Sequence, residues 1–317
     1  MSSRGSVCAD CSAPDPSWAS VNRLVLVCAD CVQVHRSLGR QVSQVKSLND
    51  SWNGPLLDLI LEVYGQGSNS VWEHILVDTT VTPRKHRKKP QPQDPLSVKE
   101  DFIRQKYSQL AFINKTEDTD LSQQLHSAVR TTSLKVSLRL LTSGGDVNFV
   151  SKEKGSTTPL HVAVMSNQRL QVELLLVFGA DPLIRDANGR TALDCSMDKE
   201  MQERLMSAPF VVQERLLAFV GRQAGQQETN PLESLSDRVF EELAKDVYDE
   251  VDRRETNQAM SSVKAMTPFL PVNPVLSSTR NQGRQKLATL IRHEFNSLVL
   301  DVLKECQRRM NEQETVI

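Results

Sequence analysis

The tetrapeptide CADC occurs twice near the amino terminus, placing Cys8, Cys11, Cys28 and Cys31 in two pairs with sixteen residues between them, and Arg36 follows five positions after the last thiol. Two cysteines separated by two residues can be aimed at one ion by a single tight turn, and Zn²⁺ prefers a tetrahedron of such soft ligands, so two turns close a site. A redox C-x-x-C would sit beside a βαβ pattern, which this segment lacks. A four-sulfur site has no open coordination position, so one structural zinc is expected here, and any chemistry belongs to other residues. The loop between the pairs holds Pro14, Pro16 and Trp18 and then the strand-like run Leu24–Val27. It is too short to fold without help, and structural zinc contributes about 10–16 kcal/mol of apparent binding energy in small finger peptides.

The stretch VQVHRSLGR after Cys31 puts Val32, His35 and Leu38 on one apolar face of a short helix and Arg36 on another, with Gly39 placed to end it. His35 is expected to pack against the metal core, since four thiols already complete the coordination shell. Further on, Pro55 near the start and Gly65 at the end bracket an amphipathic helix built on Leu56, Leu59, Ile60 and Val63. Ser97 and Glu100 form a capping-box pattern opening a helix through FIRQKYSQLAFI, where Phe102, the Lys106 stem, Leu110 and Ile113 share a face. Between these helices, five of the six residues from Arg84 to Lys89 are Lys or Arg, flanked by prolines that argue for an extended loop suited to an anionic membrane surface, a nuclear address or plain solvation.

The pattern C-x2-C-x16-C-x2-C-x4-R, with Trp18, HRSLG at 35–39 and SNSVWE at 68–73, resembles an ArfGAP domain. The resemblance implies that Arg36 is an arginine finger inserted in trans into the nucleotide site of an Arf-family GTPase. A planar, permanently charged guanidinium suits the charge spread over a transferring phosphoryl group, and such fingers contribute about 10³–10⁵ in rate. Members of that family usually carry glycine where this chain has Leu24. If that turn needs a positive φ, a branched residue is costly and could shift the strand after it.

Residues 121 to 208 repeat. Leu125-His126-x-Ala128 returns as Leu160-His161-x-Ala163, and LLTSGGD as LLVFGAD, both 35 positions on, while TPL at 158 returns as TAL at 191. These are ankyrin-like units, about three, the last short and charged like a cap. A different duplication follows: FEELAKDVYDEVDRR (240–254) returns as FNSLVLDVLKECQRR (295–309), seven of fifteen positions being identical. Each copy is an amphipathic helix, with Phe240, Leu243, Val247 and Val251 on one stripe and Phe295, Leu298, Val302 and Cys306 on the other. The intervening FLPVNPVLSSTRNQGRQ is expected to be extended. ArfGAP, ankyrin repeats and a duplicated helix in this order resemble the G-protein-coupled receptor kinase-interacting (GIT) ArfGAP family. That resemblance implies binding of PIX-type Rho-family exchange factors and focal adhesion kinase through 232–317, and an adaptor role in focal-adhesion or receptor-trafficking complexes. Relatives continue into a coiled coil and a paxillin-binding region, so this sequence is expected to behave as a short form.

The expected architecture is multidomain and mainly α: a four-cysteine zinc ArfGAP domain of small β-sheet and helices (1–120), an ankyrin-repeat α-solenoid (121–220), a linker (221–231) and a duplicated helical domain (232–317). With 38 Lys plus Arg against 39 Asp plus Glu in 317 residues, nothing draws the whole chain to nucleic acid or acidic lipid. A DNA-reading zinc finger would need a basic recognition helix, which VQVHRSLGR is not. No apolar run approaches a membrane span. The expected address is cytoplasmic, with peripheral recruitment to membranes or focal adhesions. Cys195 and Cys306 are expected to be small buried hydrophobes. The competing reading is a catalytically silent scaffold on an ArfGAP fold.

Overall fold

The computed structural model describes residues 5–50, 52, 54–77, 88–114, 120–207, 232–259 and 266–314. Most of the basic run, Arg84 to Arg87, and the whole of the 221–231 linker lie outside these residues. The chain divides into two units, Met1–Ala208 and Pro209–Ile317. Among the described residues no helix is long and apolar enough to cross a membrane.

The first unit opens with a three-stranded antiparallel sheet of β1 (Trp18–Ser20), β2 (Val25–Val27) and β3 (Val45–Ser47), in the order β2-β1-β3. Trp18 stands opposite Val27 on one side and Ser47 on the other. Helix α1 (Ala29–Ser37) follows β2 directly and stops at Gly39, whose φ of +83° only glycine adopts cheaply. Then come α2 (Gly54–Gly65), the short α3 (Asn69–Trp72) and α4 (His74–Val77), and α5 (Leu96–Ile103). Helix α2 buries Leu59, Ile60 and Val63 as its periodicity predicts.

Two expectations about α5 are corrected. Its N-cap is Pro95, with φ −56° and ψ 150°, so Ser97 lies inside the helix and caps nothing, while Glu100 turns outward to Arg104 at 2.7 Å. The helix also does not run to Ile113. It widens into a π turn over Arg104–Ser108, and Leu110 takes φ +50°. Within the π turn Lys106 is wholly buried, ammonium included, where the sequence reading packs only its stem.

The ankyrin part pairs α6 (Leu121–Ala128) with α7 (Leu134–Thr142) and α8 (Pro159–Met165) with α9 (Arg169–Val177). Thr158 caps α8 through a reciprocal capping box with His161, and Pro159 occupies the first turn. The repeat period is written in contacts. His126 Nε2 lies 3.1 Å from the Thr157 carbonyl and His161 Nε2 lies 3.1 Å from the Arg190 carbonyl, each histidine tying its own unit to the next. In the third unit the segment after Thr191 forms turns only, and α10 (Lys199–Ser207) closes the stack with Met201 and Leu205 buried. The α2 helix of the zinc domain lies against α9, and Gln66 Nε2 donates to the Thr132 carbonyl at 3.2 Å, so the zinc domain and the repeats pack together within one unit.

The second unit contains α11 (Asp237–Ala259), α12 (Ser278–Leu287) and α13 (Arg292–Glu314). The two duplicated stripes pack on each other: Phe240, Val247 and Val251 share one core with Phe295, Val299 and Val302, and Leu243, Leu298 and Cys306 flank it. The segment between them is not extended throughout. Ser277 accepts from the Arg280 amide and starts α12, because Arg280 and Arg284 find Asp246 and Asp249 on α11.

Candidate functional site

Cys8, Cys11, Cys28 and Cys31 converge, their sulfurs all within 4.8 Å of one another. The Cys11 and Cys28 sulfurs are 3.6 Å apart, close to the edge of a tetrahedron with metal–sulfur distances of about 2.3 Å. Backbone amides of Asp10 and Cys28 point at the Cys8 sulfur at 3.5 and 3.3 Å, as expected around a thiolate. Hydrogen bonds from the other three thiols hold Cys8 far below the ordinary thiol range, while sharing with Cys8 pushes Cys11 up and sharing with Cys28 and Cys8 pushes Cys31 up. Four thiolates this close cannot all ionise without a divalent cation between them, so the donor set fits a structural metal ion.

The two CADC turns meet different surroundings. Asp10, in the first, is fully buried: its carboxylate lies 2.9 Å from Lys106 Nζ and 2.8 Å from His35 Nε2, and it accepts from the Tyr107 hydroxyl at 3.0 Å. Lys106 also donates to the Ala9 carbonyl, Asn69 Oδ1 and Glu73 Oε1 at 2.7–2.9 Å, and so bolts the first turn to α3. Asp30, in the second turn, keeps a 62% exposed side chain and meets Lys99 Nζ at 2.9 Å. Lys99 and Lys106 lie seven positions apart, so the α5 segment delivers one lysine to each metal turn. Burial alone would lower Lys106 and raise Asp10, yet their mutual attraction, with Glu73 and His35 adding to it, shifts both the other way and keeps the pair charged.

His35 packs beneath the metal turn as expected and is no ligand. Its Nδ1 lies 2.6 Å from Ser43 Oγ, and its ring centre 4.9 Å from that of Tyr107. Sequence reasoning missed the Asp10–Lys106–Glu73 cluster. Its one signal in the sequence is the acidic residue inside both C-x-x-C turns.

Arg36 sits on α1, five residues beyond Cys31, and the whole residue is only 8% exposed. The side chain is therefore buried against the domain, where it makes contacts of its own. Leu24 has φ +54°, the left-handed geometry that favours glycine, and its side chain is fully buried. The strand after it pairs in register with β1, and two side chains of the SNSVWE stretch clamp the turn. Ser68 Oγ donates to the Leu24 carbonyl at 2.8 Å and Trp72 Nε1 to the Arg23 carbonyl at 2.9 Å, while the Arg23 guanidinium lies 5.0 Å from the centre of the Trp72 ring.

Comparison with known proteins agrees with this layout. Residues 2–116 match the family of GTPase activating proteins for Arf, residues 125–207 match three ankyrin repeats, and residues 232–256 and 283–311 match the Spa2 homology domain of GIT. ARF GTPase-activating protein GIT1 of Homo sapiens is 45% identical across 96% of this chain and 46% of its own length. GIT2 of Rattus norvegicus is 46% identical with the same coverage, and Git of Drosophila melanogaster is 41% identical across 96% of this chain and 49% of its own. The chain thus spans about half the length of the curated relatives it matches. With the ArfGAP, ankyrin and Spa2 homology regions present in that order, the chain belongs to the GIT family of ArfGAPs.

Proposed function

We propose that the chain is a GTPase activating protein for Arf-family GTPases that supplies Arg36 in trans. The observation that carries this reading is that Arg36 rides on a helix whose N-cap is Cys28 and whose first turn holds Cys31, so the metal ion fixes the helix to the finger domain. Zinc is the metal that four thiols at this spacing suit best. Folded against its own domain, Arg36 exchanges its internal contacts for phosphate oxygens when the GTPase docks. The protein has no complete active site of its own, and stimulation consists of adding one planar, charged, multi-donor guanidinium to the partner's transition state.

Residues 232–317, which carry the Spa2 homology match, serve as the adaptor surface, with a PIX-type exchange factor and focal adhesion kinase as partners. The chain works in the cytoplasm and is recruited peripherally to membranes or focal adhesions, where the basic run 84–89 adds attraction to anionic lipid.

The test is single-turnover GTP hydrolysis by an Arf protein on liposomes, with the intact chain beside its Arg36→Lys variant at equal zinc content. Stimulation should fall by about 10³–10⁵ in the variant, since lysine keeps the charge but loses the planar fork. Retained stimulation would sink the finger assignment. No stimulation from the folded, metal-loaded intact chain would favour a silent scaffold.

A further inference from the structure

Where α3 and α4 of the zinc domain meet α7 of the first ankyrin repeat, a cleft of about 350 Å³ opens to solvent. Its charged lining is Lys135 and Arg139, one turn apart on α7, with His74 opposite on α4, and no carboxylate lines it. Three other arginines of the repeat stack sit on carboxylates: Arg169 on Asp198, Arg190 on Asp186 and Arg204 on Glu173. Lys135 and Arg139 make no ion pair among the described residues. The repeat itself supplies a control. Thirty-five positions on, the equivalent residues are Leu170 and the fully buried Leu174, so the ankyrin fold does not demand cations there.

The hydroxyls around the cleft have already committed their protons. Ser70 donates to the Gly67 carbonyl, Thr142 to the Arg139 carbonyl and Ser143 to the Asn114 carbonyl, at 2.8, 3.0 and 3.1 Å. The donors left to a ligand are therefore mainly the lysine and guanidinium groups, which pair best with phosphate oxygens. Val71 and the aliphatic stems of the two cations provide an apolar floor, and the volume lies at the small end of ligand sites, enough for a phosphorylated ring. We propose that this cleft binds a small phosphate-bearing ligand and that the bound anion ties the zinc domain to the first repeat. The Lys135 amide already bonds Gln66 Oε1 at 3.3 Å, so a ligand on this side chain would reinforce an existing joint.

Titration calorimetry of the full chain with inositol hexakisphosphate and with pyrophosphate tests this. Saturable binding is expected, weakened at least about tenfold in a Lys135→Ala/Arg139→Ala variant through loss of two charge-assisted contacts. It should be unchanged in a Lys152→Ala/Lys154→Ala variant, which removes two exposed cations of the repeats that do not line the cleft. Circular dichroism confirms that both variants fold. Vesicles carrying phosphatidylinositol bisphosphate then separate the sources: retention that needs Lys135 and Arg139 identifies a lipid headgroup, and soluble binding without retention identifies a free phosphate ester. No saturable binding to the intact chain, or binding that is lost in the Lys152/Lys154 variant instead, would overturn the site.

Discussion

The zinc domain and the carboxyl-terminal helical unit both bury charge, and they neutralise it in opposite ways. In the zinc domain each contact is unique: one lysine, Lys106, meets Asp10, Glu73 and two further oxygens, and the cluster is fastened to a metal turn. In the helical unit the contacts that join the two long helices' ends are made twice. Arg254 stacks 4.0 Å from the centre of the Phe295 ring and donates to the Leu290 carbonyl, while Arg309 stacks 4.4 Å from that of Phe240 and donates to the Leu235 carbonyl. Residues 235 and 290 are related by the same 55 positions as the helices themselves, so the duplicated sequence has folded onto itself by exchange. A unique network should fail as a whole, whereas a duplicated one should fail by halves.

The largest effect tests the unique side. Cys28→Ser removes one of four metal ligands from a domain whose sheet strands are three residues each, and structural zinc carries about 10–16 kcal/mol of apparent energy in comparable sites. Zinc content and the thermal transition of the first unit should collapse together, while the helical unit keeps its own transition. Full zinc with an unchanged first transition would break the comparison at its base.

Next comes the contrast between two lysines of one segment. Lys106→Met leaves Asp10 and Glu73 buried without their cation and should cost about 3–5 kcal/mol. Lys99→Met removes a partner of the mostly exposed Asp30 and a bond to the Pro92 carbonyl, and should cost about 1–2 kcal/mol. Denaturant titration of both variants reads the difference, and equal costs would show that burial does not set the value of these pairs.

What was legible in the sequence follows the same division. The metal turns, the ankyrin period and the helix duplication announce themselves because spacing repeats, and repetition survives without knowledge of the fold. The Lys106 cluster does not. Asp10, Asn69, Glu73 and Lys106 are spread over nearly a hundred positions, and a helical period that packs the lysine stem inward says nothing of the carboxylates its ammonium meets. The burial of Arg36 was hidden for a similar reason, since a helical wheel gives a direction but not what stands there. Leu24 was legible as an anomaly, and its remedy was not: the Ser68 and Trp72 donors come from more than forty positions away.

That remedy sets the third expectation. Leu24→Gly relieves a left-handed cost of about 1–2 kcal/mol, but it empties a fully buried site where even Leu→Ala typically costs about 2–5 kcal/mol. Glycine also loosens the unfolded chain. The variant should therefore be less stable than the parent by about 1–3 kcal/mol, measured as a lowered denaturant midpoint at unchanged slope. A gain in stability would mean that the clamp does not offset the strain.

The smallest effect tests the duplicated side. Arg254→Ala removes a stack on Phe295 and bonds to the Leu287 and Leu290 carbonyls, Arg309→Ala removes a stack on Phe240, a bond to the Leu235 carbonyl and a pairing with the exposed Asp237, and each leaves a fully buried glutamate, Glu250 or Glu305, still paired with its other arginine, Arg253 or Arg308. The remaining partner limits the penalty to about 1–2 kcal/mol in either variant. The two costs should agree within about 0.5 kcal/mol, and the double variant should show their sum, because the two sites share no partner. Unequal costs would mean that only one copy of the helix bears the core and that the other is free to evolve toward its partners, and the symmetry seen in the contacts would then be geometric without being energetic.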